Sequence, residues 1–187
     1  MKAVKPLRSL KDVLKLKNYF LERKEYRNYL LVTVCLNTAL RISDVLNIKW
    51  QDLYDCNNKK CKNYLELNEK KTRKQQSVYI NKNIQKAVKL YRHCVPVKGE
   101  YVFCGKTDKP ISRVQVHKIL KKACANTGIP DISCHSLRKT FGYHAWKKGT
   151  QPAVLMAIYN HSNFNVTRRY LGIVQEDKDR VYREIKL

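Results

Sequence analysis

The chain carries a large excess of positive charge on an otherwise globular composition. Its 187 residues include 39 Lys and Arg against 15 Asp and Glu, a formal charge of +24, and 43% are hydrophobic. The apolar fraction excludes a disordered basic tail, and the length suits one sizeable domain rather than two. A basic protein releases counterions from each phosphate that it neutralises, so the charge favours a nucleic acid partner.

The cysteines and apolar runs predict reduced thiols in a cytoplasm and no membrane segment. There are 7 cysteines at irregular spacing, and the N-terminus lacks the apolar core of a signal peptide. The longest apolar stretch, residues 29–36, is interrupted by Thr33 and is far too short to cross a bilayer. Cys56 and Cys61 flank a short polar turn. A disulfide or a shared metal at this pair is the alternative, but there is no matching second pair.

The first part of the chain predicts two helices. Ser9 is a suitable N-cap for a helix with apolar residues at helical spacing from Leu10 to Leu21. Residues 26–40 are apolar enough for a buried helix. This order places a helix end directly before Arg41.

Arg41 lies between apolar neighbours, and a buried guanidinium needs an anion or several acceptors. Asp44, one helical turn later, is a candidate for orienting it, and Ser43 is a candidate cap for the next helix. The alternative for Arg41 is a solvated helix end.

A β-hairpin with a basic tip follows. Residues 64–67 and 77–80 alternate in polarity, with Leu65 and Leu67 set against Val78 and Ile80. The tip between them, from Glu69 to Gln75, holds three lysines: Lys70, Lys71 and Lys74. A lysine-rich tip is usually solvated, or binds phosphate without taking part in chemistry.

The second half is predicted to be helical. One helix opens at Asn83 and ends by Pro96, and another is capped by Ser112 and stops near Gly128. A buried helix then starts at His135, and a short one precedes Asn160. The expected fold is α+β, mainly helical with a small antiparallel hairpin, in a single domain over residues 1–187.

Residues 135–170 collect reactive side chains. His135, Arg138, His161 and Tyr170 supply two imidazoles, a guanidinium and a phenol. A phenol becomes a nucleophile when neighbours take its proton and stabilise the charge of the group it attacks. For any one of these residues, packing in a helical core is the alternative. The sequence contains no P-loop and no carboxylate cluster.

Four motifs in this order resemble the tyrosine recombinases, the phage-integrase family. They are Thr-Ala-Leu-Arg at 38–41, His-Ser-Leu-Arg at 135–138, Asn-His-Ser at 160–162 and Thr-Arg-Arg-Tyr-Leu at 167–171. The resemblance covers nearly the whole chain and implies that family's catalytic-domain fold. Ala39 and Asn160 stand where the family usually has Gly. Alanine is a poor substitute for a glycine chosen for a positive φ.

The resemblance implies a site-specific recombinase with a type IB mechanism, which integrates or excises a mobile element. Tyr170 would attack a DNA phosphate, form a 3′-phosphotyrosine and release a 5′-hydroxyl. The energy of the broken bond stays in the covalent intermediate, so the resemblance implies no cofactor and no metal. Arg41 and Arg138 would hold the non-bridging oxygens as permanently charged forks. A non-catalytic DNA-binding protein on the same fold and a type IB topoisomerase are the alternatives.

The resemblance also implies how protons move. A phenol has a pKa of about 10, and His135 is the natural acceptor of its proton. Lys71 is the candidate acid for the leaving 5′-oxygen, with Lys70 and Lys74 as rivals. His161 would hydrogen-bond the phosphate or position the tyrosine.

The implied partners are double-stranded DNA and further copies of the chain, which would form a tetramer on DNA. Accessory DNA-bending proteins would assist it, and the implied location is a bacterial or phage-host cytoplasm. The family normally has an N-terminal DNA-binding domain. This chain starts almost at the catalytic fold, as an excised domain or a naturally short member, and we expect weaker, less specific DNA binding.

The tail, residues 173–187, has four acidic and four basic residues, so the excess charge lies in residues 1–172. Val174, Val181 and Ile185 share one helical face. In tyrosine recombinases the segment after the nucleophile commonly docks on a neighbouring protomer. The resemblance therefore implies that this face packs on a neighbour when the protein assembles on DNA, and folds back or stays loose when the protein is free. A C-terminal helix that caps its own core is the alternative.

Overall fold

The computed structural model describes residues 4–70, 73–97, 99–105, 107–173 and 175–185. These residues form mainly helices, together with two small antiparallel sheets of two strands each. The predicted α+β, mainly helical fold class is confirmed. The elements in chain order are α1 Leu10–Glu22, α2 Tyr26–Thr38, α3 Ile42–Val45, α4 Trp50–Leu53, β1 Tyr54–Asp55, β2 Lys60–Cys61, β3 Tyr64–Asn68, β4 Gln75–Tyr79, α5 Lys82–Cys94, α6 Arg113–Thr127, α7 Cys134–Lys147, α8 Pro152–Tyr159, α9 Phe164–Leu171 and α10 Gln175–Glu184.

Helix α2 is the centre of the fold. Ser9 caps α1 as predicted, with its hydroxyl accepting the Asp12 N–H. Most of α2 is buried, and it packs against α1, α5 and α7. Its aliphatic side chains join the main hydrophobic core, which also takes in Phe20, Leu65 and Leu120. The apolar composition of 26–40 therefore reflects burial on all sides.

Helix α2 ends at Ala39, whose φ of 55° lies in the left-handed region. Arg41 is extended and serves as the N-cap of α3. Ser43 lies inside this short helix, so the prediction that Ser43 caps it was wrong. A single left-handed residue, Ala39, separates α2 from Leu40 and Arg41, and α3 begins at Ile42. A cap at Ser43 would require the helix to begin two residues later.

The predicted hairpin forms from β3 and β4. Leu65 pairs with Val78 as expected, but Leu67 pairs with Gln76, and Ile80 lies beyond the strand. The second small sheet pairs β1 with β2, with Tyr54 opposite Cys61 and Asp55 opposite Lys60.

Side-chain caps set the boundaries of the later helices. Asn81 caps α5 by accepting the N–H groups of Asn83 and Ile84, so the helix begins at Lys82, one residue before the predicted start at Asn83. Ser112 forms a capping box at the start of α6, and Gly128 ends that helix at a φ of 64°, as predicted.

The segment before α1, residues 4–8, runs along α7 and reaches the end of α9. The Leu7 N–H donates to Thr140 Oγ1 at 2.9 Å, and His144 Nε2 donates to the Leu7 carbonyl at 2.9 Å. Arg8 Nη2 donates to the Gly172 carbonyl at 3.0 Å. This segment therefore ties α7 to the residue that follows α9.

Helix α10 lies at the surface. An ion pair between Lys147 and Asp177 joins it to α7. Val181 and Ile185 are exposed, as is Tyr182, whereas Val174 lies outside the described residues. All the cysteines are free thiols. Among the residues with assigned positions, no helix is long and apolar enough to cross a membrane.

Candidate active site

Arg138 is held by the C-terminal ends of two helices. Its Nη1 donates to the Ala39 carbonyl at the end of α2, and its Nη2 donates to the Tyr159 carbonyl at the end of α8 at 3.0 Å. The residue is 3% exposed, and its Nε is buried without a hydrogen-bond partner in the described structure. The guanidinium is therefore fixed in place, and its positive charge favours an anion beside it.

Both helices end in the left-handed conformation, at the two positions where the resembled motifs usually have glycine. Ala39 has a φ of 55°, and Asn160 also has a φ of 55°. Asparagine tolerates this region, whereas alanine is strained there by Cβ contacts. The backbone turn that a glycine would allow is therefore retained here by other residues.

Tyr159 fills the space behind Arg138. Its hydroxyl donates to the Arg138 carbonyl at 2.8 Å, and burial raises the pKa of the phenol. Gly142 makes room for this contact, because a Cβ at that position would lie 2.2 Å from the hydroxyl. Tyr159 is therefore a structural residue of the site.

His161 stacks on Tyr159, with ring centroids 5.1 Å apart and an interplanar angle of 11°. Its Nδ1 forms a 3.0 Å hydrogen bond with Thr167 Oγ1. Burial lowers the pKa of His161 to about 4, with further lowering from the charges of Arg138 and Arg41. The imidazole is therefore neutral at pH 7.

Tyr170 packs against the same group. Its ring centroid lies 4.9 Å from the Tyr159 ring and 4.9 Å from the His161 ring. The Arg138 guanidinium carbon is 5.9 Å from the Tyr170 centroid, and Lys139 Nζ is 5.5 Å from it. The phenol is thus surrounded by an imidazole and two cationic side chains.

His135 is an exposed residue in the first turn of α7. Partial burial of its ring lowers its pKa, as do the charges of Arg138 and Lys139. The Tyr170 ring contacts Tyr159, His161 and Lys139. Among the described residues, His135 is not in contact with this ring.

Arg41 faces the hairpin. Its Nη1 lies 2.6 Å from Glu69 Oε2, and the Glu69 side chain is 0% exposed. Asp44, expected to orient Arg41, instead accepts the Lys70 N–H at 3.0 Å. Sequence reasoning overlooked Glu69 because it treated the whole tip as solvated. The available signal was a single acidic residue in an otherwise basic turn.

The hairpin lysines are located only in part. Lys71 lies outside the described residues, whereas Lys70 and Lys74 are exposed. Among the residues that the structure covers, no group of three or more His, Cys, Asp or Glu side chains is arranged to hold a metal ion.

Residues 8–176 match the sequence model described as "Phage integrase family". The chain belongs to this family. By class it is a tyrosine recombinase, a type of enzyme that transfers DNA strands.

The chain is 36% identical over 185 residues to "Probable integrase/recombinase YoeC" of Bacillus subtilis (strain 168), covering 98% of this chain and 97% of that protein. It is 26% identical over 164 residues to "Tyrosine recombinase XerC" of Staphylococcus carnosus (strain TM300), covering 85% of this chain and 53% of that protein. The chain thus spans about half the length of that second relative.

The fold is similar to that of the XerH site-specific recombinase in a structure described as a post-cleavage complex bound to palindromic difH substrate. The TM-score is 0.77 at 17% identity, over 95% of this chain and 51% of that chain. This likeness supports the fold.

Proposed function

We propose that this protein cleaves and rejoins DNA strands at specific sites, with Tyr170 as the nucleophile that forms a 3′-phosphotyrosine. The observation that carries the proposal is the position of the Tyr170 ring, 4.9 Å from the His161 ring and beside the Arg138 guanidinium. A phenol becomes a useful nucleophile in such surroundings, because cations stabilise both the phenolate and the phosphate that it attacks.

In this proposal two guanidinium groups hold the scissile phosphate. Arg138 brings a fixed positive charge to the site, because two of its nitrogens donate to the Ala39 and Tyr159 carbonyls. Arg41 supplies a second fork beside the hairpin. The transition state gathers negative charge on the non-bridging oxygens of the phosphate. Removing one preorganised hydrogen-bond donor to such oxygens therefore typically slows a reaction by roughly a hundredfold to a thousandfold.

The imidazoles and the hairpin lysine have separate roles. His161 is neutral and engages Thr167 through Nδ1, so its Nε2 can donate to the phosphate or to Tyr170. His135 also has a lowered pKa and accepts the phenol proton when DNA orders the site. Lys71 protonates the leaving 5′-oxygen.

The partner is double-stranded DNA, in line with the charge of +24 and with the palindromic difH substrate bound to the similar XerH recombinase. We propose that the described fold is the catalytic domain of the protein, that it assembles as a tetramer on DNA in a bacterial or phage-host cytoplasm, and that DNA-bending proteins assist it. The substrate sites are those of a mobile element.

Covalent trapping tests this function. A nicked DNA substrate that loses its 5′-hydroxyl fragment traps the protein as a DNA adduct resistant to SDS. Wild-type protein should form the adduct, and Tyr170→Phe should not, while binding the same DNA with nearly unchanged affinity. Tyr182→Phe, an exposed tyrosine on α10, is the matched control. An adduct formed by Tyr170→Phe would refute the nucleophile, and no adduct from any variant would favour a non-catalytic DNA-binding protein.

A further inference from the structure

Glu69 places a buried carboxylate among the cationic groups of the site. Its Oε2 lies 2.6 Å from Arg41 Nη1, and its side chain is 0% exposed against 21% for Arg41. Burial lowers the pKa of both Arg138 and His161. The negative charge of Glu69 acts in the opposite direction and raises both, by less. One carboxylate therefore acts on three groups proposed to surround the phosphate.

The backbone around Glu69 is fixed on both sides. Its N–H donates to the Lys74 carbonyl at 3.0 Å, and its carbonyl accepts the Arg73 N–H at 2.8 Å. The next N–H, of Lys70, donates to Asp44 Oδ1 at 3.0 Å. The carboxylate thus belongs to a closed tip that is anchored to α3.

The buried guanidinium of Arg138 and the half-buried one of Arg41 repel each other, and a buried carboxylate is costly unless it is paired. Glu69 meets both requirements at once. A guanidinium has five N–H donors in a planar fork, so one end can hold a carboxylate while the other donors face a phosphate. Fixing one end also fixes the direction in which the remaining N–H groups point.

We propose that Glu69 is a positioning residue that aims the Arg41 fork at the scissile phosphate. The inference rests on the proposed function, and it assigns a role to a residue outside the set that contacts the phosphate. The opposite possibility is that Glu69 occupies the anion site of Arg41 and must leave before DNA is cleaved. The two differ in sign: removal of a positioning carboxylate slows cleavage, whereas removal of a blocking carboxylate speeds it.

The first measurement is the single-turnover rate of adduct formation on nicked DNA for wild type, Glu69→Gln and Glu66→Gln. Glu66 is an exposed carboxylate on the same hairpin and serves as the matched control. Misplacing a catalytic group by about 1 Å can cost about a hundredfold, so we expect Glu69→Gln to be roughly 10- to 100-fold slower. Glu66→Gln should match wild type. An unchanged or faster Glu69→Gln overturns the proposal.

The second measurement separates aiming from general damage. A methylphosphonate linkage replaces one charged non-bridging oxygen by a methyl group, so it needs less help from a guanidinium. If Glu69 acts through Arg41, the defects of Glu69→Gln and Arg41→Ala should both shrink on this substrate. Glu69→Gln should also add little to Arg41→Ala when the two are combined. Full additivity, or an equal defect on both substrates, overturns the proposal.

The outcomes also separate this proposal from the proposed function. If wild-type protein forms an adduct that depends on Tyr170, the function stands, and only the behaviour of Glu69 is in question. If Glu69→Gln fails to fold, Glu69→Asp keeps the charge but shortens the reach, and the same methylphosphonate comparison applies to it. A Glu69→Asp variant with wild-type rates on ordinary DNA would contradict aiming by a 2.6 Å contact.

Discussion

Arg138 and Tyr159 hold each other by reciprocal hydrogen bonds. Arg138 Nη2 donates to the Tyr159 carbonyl at 3.0 Å, and the Tyr159 hydroxyl donates to the Arg138 carbonyl at 2.8 Å. The pair joins α7 to the end of α8, and His161 stacks on the tyrosine ring. The orientation of the guanidinium is therefore coupled to that of the imidazole.

Gly142→Ala should disrupt this pair, because the new Cβ would lie 2.2 Å from the Tyr159 hydroxyl and 3.0 Å from two of its ring carbons. Overpacking of a core typically costs 1–3 kcal/mol, and we expect a loss of about 2 kcal/mol in the free energy of unfolding, measured by urea titration. In a Tyr159→Phe background the closest clash is absent, so the same substitution should cost less. An equal loss in both backgrounds would contradict the contact.

Ala39→Gly should stabilise the protein. Ala39 has a φ of 55°, where a Cβ is strained by about 1–2 kcal/mol, and glycine recovers part of this at an entropic cost. We expect a gain of about 1 kcal/mol in the free energy of unfolding. Asn160→Gly, at the other left-handed helix end, should change it by only a few tenths, roughly, because asparagine tolerates this conformation. A destabilised Ala39→Gly would show that the methyl packing outweighs the strain.

The stability of the protein should fall in acid through His161. Its pKa is about 4 in the folded state against 6.5 as a free group. Between these values the unfolded chain binds more protons, so the free energy of unfolding decreases as the pH drops from 6.5 towards 4. Urea titrations at pH 5 and pH 7.5 should show a smaller difference for His161→Asn than for wild type. His117→Asn, at an exposed position on α6, should behave like wild type.

Lys71→Ala should slow cleavage of ordinary DNA by about a hundredfold or more, if Lys71 is the general acid. A substrate with sulfur at the 5′-bridging position needs no acid, because a thiolate leaves without a proton. The defect should therefore largely disappear on that substrate. Lys70→Ala and Lys74→Ala are the comparisons, and an equal Lys71 defect on both substrates would move the role to one of them.

The apolar surface formed by Val181 on α10 and by Ile185, just after that helix, should serve assembly rather than folding. Val181 and Ile185 are exposed, whereas Asp177 pairs with Lys147 of the same chain. A Val181→Ser, Ile185→Ser double variant keeps that ion pair, so its free energy of unfolding should stay within about 0.5 kcal/mol of wild type. Single-site cleavage should persist while synapsis and strand exchange are lost. A strong loss of stability would indicate that the tail is part of its own core.

Local signals in the sequence located several helix ends, although the predicted cap at Ser43 was wrong. Ser9, Ser112 and Gly128 mark the helix ends as predicted, because capping depends on a few neighbouring residues. The order of the motifs was enough to indicate the family and the helical fold.

The partners of the reactive residues were not predictable in the same way. Arg41 meets Glu69 because the hairpin folds back onto α3, and Arg138 meets Ala39 because α7 packs on α2. Both are contacts between distant parts of the chain. Glu69 looked like part of a solvated tip, since its burial depends on where the hairpin docks.

The segment of residues 4–8 connects the N-terminal end of the described chain to α9, the helix that carries Tyr170. Arg8 bonds to the Gly172 carbonyl, and Pro6 lies so close that a Cβ on Gly172 would be 3.3 Å from its ring. Gly172 ends α9, two residues after Tyr170. An affinity tag or fluorescent protein fused ahead of this segment would therefore lie close to the connection between α9 and α10. We expect such fusions to be better tolerated with a flexible spacer.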